Sequence, residues 1–109
     1  MKMNQVELLQ ENPATTTNSE RAWEACARAK ELEEAGKFDA ARLALGEFWQ
    51  RIGDRPKVQG LDRASRAELL LRVGTLSGWL GSVRQIRGAQ ETAKDLISES
   101  SAIFEELGL

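Results

Sequence analysis

The side chains that most often carry out catalysis are scarce in this chain. It contains no histidine and a single cysteine, Cys26. Ser-His-Asp and Cys-His arrangements, together with most zinc sites, are therefore excluded. Cys26 has no adjacent base and recurs with alanines at helical spacing, which favours a packed free thiol over a nucleophile. We predict that the chain is not an enzyme, has no catalytic or metal-ligating residues and needs no cofactor.

Carboxylates and glycines are more abundant, but their spacing does not make a site. Glu33 and Glu34 are neighbours on a predicted helix, so their side chains diverge and cannot converge on one metal ion. We expect them on a solvated face. A later predicted helix contains three separate glycines that do not form the phosphate-binding GxGxxG pattern. Each costs roughly 1 kcal/mol against alanine inside a helix, so we predict close packing against a neighbouring helix at Gly74, Gly78 and Gly81.

The three tryptophans could serve recognition. Trp49 lies beside Phe48 on an apolar stripe and is expected in the core. Trp23 and Trp79 fall outside the predicted core positions, and binding anchors at interfaces are enriched in tryptophan. The alternative is that both pack against the N-terminal segment or against an inserted turn.

The elements that position these residues are helices within one domain of 109 residues. We expect residues 1–16 to form a flexible or weakly helical N-terminal segment. A capping box from Thr17 to Glu20 predicts that the first helix starts there, and Gly36 ends it. An apolar stripe from Phe38 to Ile52 predicts the second helix, so the first helix pair spans about 17–52.

A second helix pair is predicted over about 62–108. Its first helix starts at Asp62 or Ser65, is apolar on most sides and should be the most buried element. The last helix runs from about Ala89 to Gly108 and is strongly amphipathic. The domain would thus span 17–109.

The first pair resembles the tetratricopeptide repeat. The residues that carry the resemblance are Ala29, Leu32, Gly36, Phe38, Ala41, Leu45 and Phe48. The second pair is a looser match with an inserted turn, and is similar to the longer repeats of bacterial signalling and transcription-activator proteins. The resemblance implies an all-α fold in which two antiparallel helix pairs stack as a right-handed solenoid.

The same resemblance implies a scaffold whose concave face, lined by the first helix of each pair, binds a peptide or protein partner. The positions that would face the partner are Trp23, Cys26, Lys30, Glu33, Leu71, Arg72, Thr75 and Trp79.

Charge is unevenly distributed along the chain. Residues 1–50, 51–87 and 88–109 carry net charges of −3, +5 and −4. Either oppositely charged helices lie side by side, or the basic segment 51–87 contacts nucleic acid in a helical regulator. The overall charge of −2 favours the first interpretation.

The sequence also supports expectations about the location and the assembly of the chain. No run approaches the ~20 apolar residues of a membrane span, and a lone cysteine suits a reducing compartment, so we expect a cytoplasmic chain without membrane contact. An array of two pairs is short, which indicates either a piece of a longer array or stacking between copies. We predict a homodimer through apolar residues of the last helix, namely Ile103, Phe104 and Leu107.

Overall fold

The computed structural model describes the backbone of residues 13–108 and the side chains of residues 17–108. Residues 1–12, which make up most of the predicted N-terminal segment, and Leu109 lie outside it. The described residues contain no strand and form four helices: α1 (Pro13–Glu34), α2 (Phe38–Ala44), α3 (Arg63–Val83) and α4 (Ala89–Leu107). The predicted all-α fold class is confirmed.

Helix α1 begins at Pro13 rather than at the predicted capping box. Proline is tolerated in the first turn of a helix because its missing N–H has no intrahelical partner there. Thr17 therefore lies inside the helix and does not cap it. The predicted end is confirmed, since Gly36 adopts a left-handed φ of 78° and the Lys37 amide donates to the Leu32 carbonyl over 2.8 Å.

Helix α2 is shorter than the predicted stripe, because the α-helix ends at Ala44 and tight turns follow. In these turns the Phe48 amide donates to the Leu45 carbonyl over 2.9 Å, a three-residue hydrogen bond. The spacing still buries Phe48 and Trp49, and the Trp49 indole N–H donates to the Asp54 carbonyl over 3.1 Å. Phe48 and Trp49 therefore lie in the core although the helix does not continue through them.

Helix α3 has more buried residues than any other described helix, as predicted. Asp62 is its N-cap, with a carboxylate oxygen that accepts from the Ser65 amide over 2.8 Å. Ten residues of α3 are buried, and the helix contacts each of the other three. The predicted close packing is confirmed at Gly74, where an added Cβ would lie 2.8 Å from the Ile97 Cγ1, and at Gly81, where it would overlap the Ala89 Cβ. It is wrong at Gly78, where an added Cβ would make only an ordinary contact with Ala93.

Helix α4 lies antiparallel to α3. Its first residues meet Gly81, whereas the Ser100 hydroxyl donates to the Ala67 carbonyl over 2.8 Å and Glu106 pairs with Arg63. The predicted end at Gly108 is confirmed by its left-handed φ of 79°. Together α3 and α4 form a tightly packed pair against which α1 and α2 rest.

Candidate partner-binding surface

Helices α1 and α3 lie side by side and run in the same direction. Near their starts, the Ser19 hydroxyl accepts from the Asp62 amide over 2.8 Å. Nearer the end of α1, Glu33 pairs with Arg72 over 3.1 Å. Later residues of α1 contact later residues of α3, so the two helices stay side by side and their open sides form one continuous surface.

Five of the eight predicted partner-binding residues lie exposed or half-buried beside this contact. Trp23 is one helical turn beyond Ser19, is 50% exposed, and shares its side of α1 with the exposed Lys30. On α3, Leu71 and Thr75 are half-buried one turn apart, and Trp79 is 51% exposed. The helical period places the α1 row and the Leu71–Thr75 row on the same side of the contact between the helices.

Cys26 does not belong to this surface. The residue is 1% exposed and packs in the core between α1 and α3. Burial, with a smaller contribution from the Glu68 carboxylate, raises the pKa of its thiol to about 12. A thiol that stays protonated at neutral pH is a poor nucleophile. The interpretation of Cys26 as a packed thiol is confirmed, and its assignment to the partner-facing positions is corrected.

Glu33 and Arg72 face each other rather than open solvent. Their side chains are 11% and 12% exposed, and Arg72 also approaches Glu68, with 3.5 Å between its Nε and the Glu68 Oε2. Burial raises the pKa of the Glu33 carboxyl, although the Arg72 charge acts in the opposite direction. This ion pair joins α1 to α3 beneath the exposed residues, so it positions the surface instead of contacting a partner directly.

Trp79 forms one wall of an open cleft at the far end of α3. Its ring stacks on Phe38, with 4.7 Å between the ring centroids and 26° between the planes. The cleft has a volume of about 620 Å³ and no charged residue lines it. The lining residues are Phe38, Thr75, Gly78, Trp79, Gly81, Ser82, Gln85, Ile86 and Gln90.

Most of these lining residues were not predicted from the sequence, which had singled out only Thr75 and Trp79 for binding. Phe38 and Gln90 come from other helices, so their meeting with Trp79 depends on the tertiary packing. One feature of the sequence could have pointed to the cleft: Gln85 follows the end of a long helix, where glycine is the usual residue.

Ion pairs involve part of the charge of the basic segment 51–87. Several of its arginines pair with carboxylates, three of them on other elements: Arg51 with Asp54, Arg55 with Glu99, Arg63 with Glu106 and Arg84 with Asp39. Two of these arginines, Arg55 and Arg63, are paired with carboxylates of the acidic last helix. This arrangement matches the interpretation that oppositely charged elements lie side by side.

The apolar residues predicted to mediate self-association face mainly inward. Ile103 is buried, and Phe104 is partly buried against the core. Leu107 is 38% exposed and Ile97 is 36% exposed, so α4 leaves two separate apolar edges. The outward side of the helix carries polar residues, among them Lys94, Ser98 and Glu105.

No helix among the described residues is long and apolar enough to cross a membrane. The same part of the chain holds no group of three or more cysteine, aspartate or glutamate residues arranged to bind a metal ion. Comparison with models of protein families, with curated proteins and with solved structures finds no match.

Proposed function

We propose that this chain is a protein-interaction module that binds a peptide or protein segment on the open side of α1 and α3. The observation that carries the proposal is the half-exposure of Trp23 and Trp79 on two neighbouring parallel helices. Half-exposed indoles have not gained the full free energy of burial, because part of their apolar surface stays in water in the free chain. Burying them against a partner recovers that free energy, which is why tryptophan is frequent among interface anchors.

The ion pair beneath the surface supports the same function. Glu33 and Arg72 connect the two helices close to Lys30, Leu71 and Thr75. A surface whose helices are held in register loses little conformational entropy on binding. The arrangement therefore favours a preformed docking face.

We further propose that the helix order is that of two tetratricopeptide-like pairs in a cytoplasmic, bacterial protein. The proposal requires the small and apolar residues of the first pair to be core residues. Ala29, Ala41 and Leu45 are fully buried, and Gly36 occupies the left-handed turn between the helices. These positions are consistent with the resemblance.

Nucleic-acid binding by segment 51–87 receives less support. Electrostatic binding to phosphates needs cations that are available to the ligand. Arg55, Arg63 and Arg84 already pair with carboxylates of the same chain. An interaction with protein is thus the function that the surface favours.

The test is selection from a random peptide library displayed on phage against the purified chain. We expect enriched peptides whose binding is lost in a Thr75→Arg variant, which places a long charged side chain on the open face. A matched Ser98→Arg variant changes the polar outward side of α4 and should retain binding. Failure to enrich any peptide, or equal loss in both variants, would refute the proposed function.

A further inference from the structure

The cleft beside Trp79 differs from the rest of the molecular surface in its charge. Charged residues make up 29% of the chain, yet the lining of the cleft contains none. A charged group that enters the cleft gains no counter-charge from the residues that line it, whereas an uncharged group gives up less hydration. The lining therefore favours an uncharged part of a ligand over a charged one.

The polar groups of the cleft are of the kind that pair with a peptide backbone. The Gln90 amide nitrogen donates to the Gly78 carbonyl over 2.8 Å, so its orientation is set while its carbonyl oxygen is left to accept. The amide of Gln85 and the hydroxyls of Thr75 and Ser82 add donors and acceptors. Neutral groups with both hydrogen-bonding capacities match peptide N–H and C=O groups without requiring charge.

The stacked rings supply the apolar part of the cleft. Phe38 fixes one face of the Trp79 indole, and half of the Trp79 side chain remains open to solvent. A ring held by stacking is preorganised for contact with a second apolar group. The cleft is open and has a volume of about 620 Å³.

The backbone at Gln85 gives a separate indication of use. The turn after α3 has the same hydrogen bonds as the turn after α1, with the Ile86 amide donating to the Gly81 carbonyl over 2.8 Å. Gly36 occupies the left-handed position after α1, whereas Gln85 occupies it after α3 with a φ of 54°. A non-glycine residue there strains the backbone, and such strain is concentrated at functional sites.

We propose that this cleft binds an uncharged, apolar segment of the partner polypeptide, with an apolar side chain against Trp79 and the peptide backbone on Gln85 and Gln90. This inference rests on the proposed function and specifies the chemistry of the ligand. It assigns specificity to the end of α3, and Trp23 then serves a more distant part of the same partner.

The probes that test it are two end-blocked hexapeptides. One has leucine and phenylalanine at its centre, and the other has glutamate in place of the leucine. Titration is followed by the indole N–H signals of ¹⁵N-labelled full-length chain, with the Trp79 signal assigned from a Trp79→Phe variant. We expect the leucine peptide to shift the Trp79 signal saturably and to bind at least about tenfold more tightly than the glutamate peptide.

A charge placed in the cleft provides the decisive comparison. Ser82 is exposed, so Ser82→Arg should fold normally, and it should reverse the preference so that the glutamate peptide binds more tightly. Ser98→Arg, on the outward side of α4, should leave the preference unchanged. Circular dichroism of each variant checks that the helices are intact.

Several results would overturn the inference. One is equal affinity for both peptides, and another is an absence of shifts in every indole signal. If the leucine peptide shifted Trp23 but not Trp79, binding to the open face would stand and the cleft assignment would fall. A Trp79 signal that moved with protein concentration alone would show that a second copy of the chain occupies the cleft.

Discussion

Two glycines of α3 lie close together in the sequence but should respond in opposite ways to substitution by alanine. Alanine is favoured over glycine inside a helix by about 1 kcal/mol, because glycine loses more backbone entropy on folding. Whether that gain appears in the stability of the protein depends on the space for one additional methyl group. The structure distinguishes Gly78 from Gly81 on this point.

At Gly78 the added Cβ would lie 3.5 Å from the Ala93 Cβ, an ordinary van der Waals contact. The helix-propensity gain should therefore be retained. We expect Gly78→Ala to raise the free energy of unfolding by up to about 1 kcal/mol. For a domain of this size that corresponds to a rise of about 4–8 °C in melting temperature.

At Gly81 the added Cβ would overlap the Ala89 Cβ. That methyl group is attached directly to the backbone of α4 and cannot rotate away, so the two helices must separate. Overpacking of this kind costs about 1–3 kcal/mol, and a rigid contact belongs at the upper end of that range. After subtraction of the propensity gain, we expect Gly81→Ala to lower the free energy of unfolding by about 2 kcal/mol.

The assay is thermal and urea denaturation followed by circular dichroism of the helices, with the two variants measured beside the unmodified chain. A Gly81→Ala variant as stable as the unmodified chain would show that α3 and α4 are not in close contact at this point. A destabilised Gly78→Ala variant would place the two helices closer at Gly78 than the structure has them.

Three further predictions concern the helix end, the ion pair and assembly. Gln85→Gly should raise the free energy of unfolding by about 1 kcal/mol, since glycine adopts the left-handed conformation without strain; a lower urea midpoint would contradict this. Burial raises the pKa of Glu33 in the folded state above its ordinary 4.5. The unmodified chain should therefore lose stability relative to Glu33→Gln as the pH rises from 4.5 through the raised pKa. Urea titrations across this range measure the slope, and the opposite sign would mean that the attraction of Arg72 outweighs burial. If the end of α4 mediates a dimer, Leu107→Glu should yield a folded monomer in sedimentation, because Leu107 is exposed whereas Phe104 packs against the core. An unmodified chain that sediments as a monomer at tens of micromolar would refute the dimer.

Local signals predicted most of the helices. The Asp62 cap, the Gly36 turn and the Gly108 end each depend on residues that are adjacent in sequence, and each is present in the structure. The end of α2 was not predictable from periodicity alone. Apolar residues three apart face the same side in an α-helix and in the tighter turns that follow Ala44, so the pattern did not distinguish them.

The binding surface could not be predicted from the sequence of one helix, because it depends on how the helices pack against each other. Glu33 and Arg72 were both predicted to face a partner, but the register between α1 and α3 pairs them with each other. Cys26 was assigned to the partner-facing positions by the resemblance alone, whereas its helical spacing with alanines predicted the burial that the structure shows. The cleft was even harder to predict from the sequence, because its wall combines Phe38 of α2 with side chains of α3 and α4.

The polarity of the two outer helices explains why the open side of α1 and α3 is the surface to test. One helix pair cannot bury its apolar side alone, and stacked pairs need polar outer faces to end the stack. Helix α1 presents exposed Glu24 and Arg28 outward, and α4 presents exposed Lys94 and Ser98. These described parts of α1 and α4 are polar on their outward sides. The largest aromatic rings left exposed among the described residues, Trp23 and Trp79, belong to α1 and α3, and the proposed docking surface includes both.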